Sequence, residues 1–177
     1  PPAPPRVLLI GYGNPGRLDD GLGPALAAAV EELRLPGVTV EADYQLTVED
    51  AAQVAECDVV LFADADQTGP EPFSVRRIRP GRRGVSFSSH SVRPEAVLAL
   101  AGELFNAEPE AYILGVRGYE FGEFGERLSQ RARANLAEAV DYVRAAATRG
   151  WFREVRPDRR GAANTSNEDA PCKTAST

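Results

Sequence analysis

The chain has 177 residues, and 43% of them are hydrophobic, which is enough for one globular domain with a core. The formal net charge of −6 and the pI near 4.9 argue against nucleic acid or an acidic membrane surface as a partner. No segment approaches the roughly twenty consecutive apolar residues that span a bilayer, and residues 1–6 lack the apolar core of a signal peptide. We therefore expect a monomeric cytoplasmic protein with one domain over residues 1–152 and a disordered polar tail over residues 153–177.

The hydrophobic pattern alternates between strands and helices along the chain. Predicted strands cover residues 6–11, 38–43, 58–64, 73–78 and 111–116. Predicted helices cover residues 20–34, the segment after the capping residue Thr47, and residues 91–105 and 126–149. The first and third strands are apolar on both faces, as in a parallel sheet covered by helices, whereas 73–78 alternates like an edge strand. The pattern predicts an α/β fold: a three-layer α/β/α arrangement with a twisted, mostly parallel five-stranded sheet and one antiparallel edge strand.

The apolar spacing within the predicted helices selects the side chains that face the core. The inward positions are Leu22, Ala25, Leu26, Ala29, Val30 and Leu33 in the first helix, Val48, Ala51, Ala52 and Ala55 in the second, Val97, Leu98, Ala101 and Leu104 in the third, and Leu128, Leu136, Ala139, Val140 and Val143 in the last.

Cysteine and histidine are scarce, which excludes several kinds of metal site. Cys57 precedes an apolar strand and Cys172 lies in the polar tail, so neither a disulfide framework nor a thiolate zinc site is indicated. His90 is the only histidine, which excludes a three-histidine centre and an HExxH zinc motif.

The loop after the first strand matches the dinucleotide-binding fingerprint in its glycines. The pattern Gly11-x-Gly13-x-x-Gly16 is present, and Glu41 or Asp43 at the end of the next strand stands where a ribose-binding acid is sought. Those acids lie further from the glycines than the usual spacing of about twenty residues. Pro15 and the residues that follow it also delay the helix. A nicotinamide enzyme is therefore a minor alternative.

Asp19 and Asp20 make this loop unusual, because such a helix start normally offers N–H groups to a phosphate. Two carboxylates there repel a phosphate but suit a cation or acid/base chemistry. Aspartate is also a good N-cap, so we expect one of the pair to cap the helix and the other to face the crevice.

Three ionisable residues occupy equivalent places in the predicted architecture: Asp20 after the first strand, Asp64 at the end of the third, and His90 in the loop before a helix. Because parallel strands bring their carboxyl ends to one edge of the sheet, these residues can converge on a single crevice. The alternatives are that Asp64 turns or caps the chain and that His90 is structural.

A group of arginines follows the third strand: Arg76, Arg77, Arg79, Arg82 and Arg83. The simpler interpretation is a solvated strand and turn, and the rarer one is a contact with an acidic partner.

Three segments of the chain resemble the [NiFe]-hydrogenase maturation endopeptidases: Gly11-Tyr-Gly-Asn-Pro-Gly-Arg-Leu-Asp-Asp-Gly-Leu-Gly-Pro24, Leu61-Phe-Ala-Asp-Ala65 and Ser88-Ser-His-Ser91. The resemblance covers about residues 6–149. Members often have glutamate where Asp20 stands, and many have Asp-Gly-Gly where this chain has residues 43–45. At residues 43–45 the chain is instead similar to proteases that serve cytoplasmic, cofactor-reducing hydrogenases.

The resemblance implies an enzyme that removes the C-terminal extension of the nickel-loaded precursor of a hydrogenase large subunit. It implies that Asp20, Asp64 and His90 contact the metal. Two carboxylates and one imidazole are too few to hold a divalent ion permanently, so we expect no tightly bound metal and a nickel ion carried by the substrate. Two roles remain open for the attack on the peptide bond: nickel polarises the carbonyl, or a carboxylate activates water.

A second class of function uses the same three residues without cleavage. In that case the protein binds the nickel-loaded precursor as a loading checkpoint. Loss of mass from the precursor distinguishes the protease from the checkpoint, and stabilisation by NAD(P) would identify the nicotinamide enzyme.

Overall fold

One mixed sheet organises the chain, whose computed structural model describes residues 4–81 and 92–149. The sheet has five strands in the order β2-β1-β3-β5-β4. All neighbours pair in parallel except β4, which lies antiparallel to β5 at one edge. This confirms the predicted mostly parallel sheet with an antiparallel edge strand. The strands are β1 (Val7–Tyr12), β2 (Val38–Asp43), β3 (Val59–Asp66), β4 (Phe73–Ile78) and β5 (Glu110–Arg117).

Within the described residues, four α-helices cover the two faces of the sheet and complete the three layers. They are α1 (Leu22–Glu32), α2 (Asp50–Ala55), α3 (Pro94–Phe105) and α4 (Gln130–Arg149). Helices α1 and α4 share one core with alternate strand residues such as Leu9 and Leu61. Helices α2 and α3 share the other core with the intervening residues, such as Ile10 and Phe62. Side chains of successive strand residues point to opposite faces, so odd-numbered and even-numbered positions of a strand pack into different cores.

The helices begin later than the sequence predicts. A short 3₁₀ helix, Leu18–Gly21, precedes α1, so the α-helix starts at Leu22. Helix α3 starts at Pro94 because Arg93, which precedes a proline, is extended with φ −86° and ψ 152°. Helix α4 starts at Gln130 rather than near residue 126.

Three predicted inward positions, Val48, Ala52 and Leu104, are exposed, and several buried helix positions were missed, among them Ala27 and Val54. Val48 precedes the short helix α2 and is 46% exposed, whereas Val54 is fully buried in its place. Leu104 lies on the same face of α3 as Val97 but is 67% exposed, so the last turn of α3 extends beyond the core.

Several sequence-based predictions concern residues that the structure does not describe. His90 and residues 153–177, with Cys172 among them, lie outside the described ranges. Within 4–81 and 92–149, no helix is both long and apolar enough to cross a membrane.

Helix α1 approaches the sheet at backbone-contact distance through two glycines. A Cβ added to Gly11 would lie 2.2 Å from the carbonyl oxygen of Gly23, and a Cβ added to Gly23 would lie 2.1 Å from the carbonyl oxygen of Tyr12. Each neighbour is backbone and cannot rotate away. The close approach therefore depends on glycine at both positions, and it fixes where the loop after β1 emerges.

We expect Gly23→Ala to lower the free energy of unfolding by about 3 kcal/mol, because the new methyl group forces α1 away from β1. The matched control is Gly102→Ala inside α3, where the nearest atom to the added Cβ is 3.7 Å away. That substitution should instead stabilise the protein by about 0.5–1 kcal/mol, since alanine restricts the unfolded chain. Urea unfolding of both variants measures the difference. Equal effects would contradict the close approach.

Candidate active site

The loop after β1 turns sharply at the carboxyl edge of the sheet. Gly13 has φ +141°, and its N–H donates to the carbonyl of Asp43 at the end of β2. A Cβ at Gly13 would lie 2.1 Å from the carbonyl oxygen of Asp20. The glycine therefore lets the backbone of the 3₁₀ helix fold back over the end of β1, which brings Asp20 to this edge.

Asp20 is half-buried and fixes the turn with its side chain. Its Oδ2 accepts a hydrogen bond of 2.9 Å from the Asn14 N–H, and the Asn14 Oδ1 accepts one from Gly16. A dinucleotide phosphate would need such loop N–H groups, and here a carboxylate already takes one of them. The geometry thus disfavours the nicotinamide alternative.

Asp64 lies near the end of β3, on the face covered by α2 and α3, and it is half-buried. Burial raises the pKa of its carboxyl to about 6. The nearby charges of Asp20 and Asp66 raise this pKa further, while the hydrogen bond from the Ala65 N–H and the neighbouring Tyr12 hydroxyl lower it. Asp64 is therefore a carboxyl that changes protonation near neutral pH, within the electrostatic reach of Asp20.

Asp19 has a different role from its neighbour, because it is fully buried and accepts four hydrogen bonds. Its Oδ2 accepts from the N–H groups of Tyr119 and Glu120 and from the Ser129 hydroxyl, and its Oδ1 accepts from the Ser129 N–H. Burial raises the pKa of Asp19, but these hydrogen bonds outweigh burial and hold the pKa below its ordinary value.

The predicted capping role is therefore wrong for both aspartates. The N-cap of α1 is Gly21, and no side chain bonds to the start of the helix. The carboxylate of Asp19 instead anchors the loop between β5 and α4, and Asp20 bonds to its own turn. The backbone adds to this connection, because the Leu18 N–H donates to Gly125 and the Gly125 N–H donates to Gly16.

The loop between β5 and α4 is also held by Tyr119, whose ring packs against α4. The guanidinium carbon of Arg131 lies 3.9 Å from the ring centroid, and the Asn135 side-chain amide donates to the Tyr119 hydroxyl at 2.8 Å. Glu71 bonds both to the Tyr119 hydroxyl and to Arg131. The loop after β5 is thus fixed between the 3₁₀ helix and α4.

A cavity of about 450 Å³ opens beside Asp64 on the face of the sheet covered by α2 and α3. The strands contribute Tyr12, Asp64, Ala65, Asp66, Ser74, Arg76, Ile113 and Gly115 to its lining, and the start of α3 contributes Val92, Arg93, Pro94 and Glu95. Burial raises the pKa of the Tyr12 hydroxyl, which keeps it protonated.

Sequence reasoning missed most of this cavity, although one signal for it was available. The third strand was predicted to end at Asp64, but β3 continues to Asp66. Two aspartates two residues apart on a strand point to the same face, so the pair already predicts an acidic wall. The contributions of Ser74 and Arg76 depend on β4 pairing next to β5, and no local signal gives that order.

The structure brings two of the three predicted site residues to one edge of the sheet, Asp20 and Asp64. The third, His90, lies outside the described residues. Within residues 4–81 and 92–149, no three carboxylate, imidazole or thiol side chains lie close enough together to hold a metal ion. The described part of the site therefore offers a pair of carboxylates.

Solved structures with the same architecture include several hydrogenase maturation proteases. The hydrogenase maturation protease HycI of Thermococcus kodakarensis is 22% identical, with a TM-score of 0.62 over 79% of this chain and 90% of its own. The hydrogenase 2 maturation peptidase of a Thaumarchaeota archaeon is 25% identical, with a TM-score of 0.61 over 81% and 98%. The maturating endopeptidase HybD of E. coli is 21% identical, with a TM-score of 0.62 over 81% and 93%.

The chain has the fold of the hydrogenase maturation proteases. This confirms the fold that the resemblance implied. Neither the known family models nor the curated protein sequences match the chain. The likeness therefore rests on the arrangement of the elements and on the short motifs around Asp20 and Asp64.

We expect Asp19→Asn to lower the free energy of unfolding by about 3 kcal/mol, because an amide leaves buried N–H donors without an acceptor. Asp20→Asn is the matched control, since its remaining amide oxygen can still accept from Asn14. Its effect on stability should stay under about 1 kcal/mol. Thermal unfolding of the two variants tests the assignment. A larger loss in Asp20→Asn would reverse the two roles.

Asp64→Asn should stabilise the protein, and by an amount that depends on pH. The folded pKa of about 6 lies above the unfolded value, so the folded state is penalised as pH rises from about 4 through 6. The gain on substitution should be absent below about pH 4 and should reach at most about 3 kcal/mol above pH 6. Denaturant unfolding across this range measures it. A gain that is independent of pH would contradict the raised pKa.

Proposed function

We propose that this protein is an endopeptidase that removes the C-terminal extension from the nickel-loaded precursor of a [NiFe]-hydrogenase large subunit. The observation that carries the proposal is the pair Asp20 and Asp64 at the carboxyl edge of a sheet with the fold of the maturation proteases. Open α/β sheets bind ligands at this edge. The cavity beside Asp64 offers room for a segment of the substrate chain.

The nickel ion is part of the substrate in this proposal. It arrives on thiolates of the precursor, and Asp20, Asp64 and His90 complete its coordination. A pair of carboxylates with one imidazole suits a divalent ion but binds it weakly without those thiolates. The protein therefore holds no tightly bound metal of its own, and it recognises only a correctly loaded precursor.

Asp64 and the nickel ion can each promote the attack on the peptide bond. With a pKa near neutrality, the Asp64 carboxylate is suited to accept a proton from the attacking water. Alternatively, the nickel of the precursor would polarise the carbonyl, and the carboxylates would hold the ion in position. In both cases docking of the precursor orients the bond beside the carboxylates.

The test is cleavage of a hydrogenase large-subunit precursor prepared with and without nickel, followed by mass spectrometry of its C terminus. We expect loss of the extension only from the nickel-loaded form. Asp20→Asn, Asp64→Asn and His90→Ala should each lower kcat/KM by about 100-fold or more, because each removes a contact to the metal.

The control variant is Glu41→Gln, which removes one exposed carboxylate on β2 without touching this site. It should leave cleavage unchanged. Binding of the loaded precursor without loss of mass would identify a checkpoint protein. Cleavage of the metal-free precursor would exclude recognition of nickel.

A further inference from the structure

The cavity beside Asp64 continues along the sheet towards β4. Asp64 on β3 pairs with Gly115 on β5, and Gly115 pairs in turn with Ser74 on β4. Two strand spacings of about 4.8 Å therefore separate Asp64 from Ser74. An extended peptide advances about 3.3 Å per residue, so about three residues cover this distance.

The charges along the cavity change sign from one end to the other. Two carboxylates, Asp64 and Asp66, line the end near β3, whereas two guanidinium groups and one carboxylate, Arg76, Arg93 and Glu95, line the end near β4 and the start of α3. Arg76 is held there by Glu95, with 3.6 Å between Nη2 and Oε1, and its side chain is still 60% exposed. Arg76, on β4, and Arg93, just before α3, thus border the end of the cavity next to these two elements.

The next arginine on β4 points the other way. Ser74, Arg76 and Ile78 share the face covered by α2 and α3, where Ile78 joins that core. Arg77 has the opposite parity and forms an ion pair with Glu110 on β5. The two adjacent arginines therefore have similar exposure but lie on opposite faces of the sheet, which makes Arg77 a matched control for Arg76.

We propose that the cavity between Asp64 and Arg76 binds the segment of the precursor that follows the cleaved bond, and that Arg76 and Arg93 recognise an acidic group about three residues beyond that bond. This inference rests on the proposed function, because it takes the cleaved bond to lie beside Asp64. The occupant is an extended peptide with an acidic side chain or a terminal carboxylate. An acidic ligand is chosen because both guanidinium groups are positively charged and attract a carboxylate.

The experiment compares two precursors that differ only at the third residue after the cleaved bond, glutamate in one and glutamine in the other. For the unmodified protein, the KM of the glutamate precursor should be about fivefold lower, because two partly exposed ion pairs form. The double substitution Arg76→Gln with Arg93→Gln should abolish that preference and leave kcat unchanged. Arg77→Gln removes the same kind of charge on the other face and should keep the preference.

Loss of the preference in Arg77→Gln to the same extent would show a general effect of net charge and overturn the proposal. The same holds if the double variant keeps the preference. If no precursor is cleaved by the unmodified protein, the proposed function fails, and binding still tests the cavity. Fluorescein-labelled peptides with the two versions of the extension are then titrated by anisotropy. The glutamate peptide should bind more tightly, and only the double variant should lose this difference.

Discussion

The carboxylate of Asp19 is the contact on which the geometry of the site depends. It is buried, and its four hydrogen bonds join the 3₁₀ helix after β1 to the loop between β5 and α4, 100 to 110 residues away in the sequence. A buried carboxylate is costly unless its oxygen atoms are satisfied, and here the donors are largely backbone N–H groups that cannot reorient freely. Asp20 follows directly, so its position is set by the anchoring of its neighbour.

The adjacent aspartates thus have separate roles: Asp19 is structural, and Asp20 is accessible at the edge of the sheet. Asp19 has a lowered pKa and remains ionised inside the protein, where it holds two loops together. Asp20 is half-buried at the carboxyl edge, where a substrate can reach it. The separation is a consequence of the 3₁₀ turn, which directs one side chain into the protein and the other towards the end of β1.

Packing holds the backbone around the site in place, whereas the charge of Asp64 changes with pH. Helix α1 is held against β1 by backbone contact at Gly11 and Gly23, and the loop after β5 is held by Tyr119 against α4. Within this framework, Asp64 is close enough to Asp20 for their charges to interact, and its pKa is raised towards neutrality. In the proposed function, a cation carried by the precursor would relieve that repulsion.

The sequence by itself determined the class of fold, because apolar runs and helical periodicity follow from which side chains must be buried. It gave β2 and β4 at their observed bounds and the antiparallel edge strand. It also selected Asp20 and Asp64, because strand ends in a parallel sheet meet at one edge. Only the tertiary structure decided the role of Asp19, because its partners Tyr119, Glu120 and Ser129 are distant in sequence. The cavity likewise depends on β4 lying beside β5, an order that strand pairing sets and no local pattern encodes.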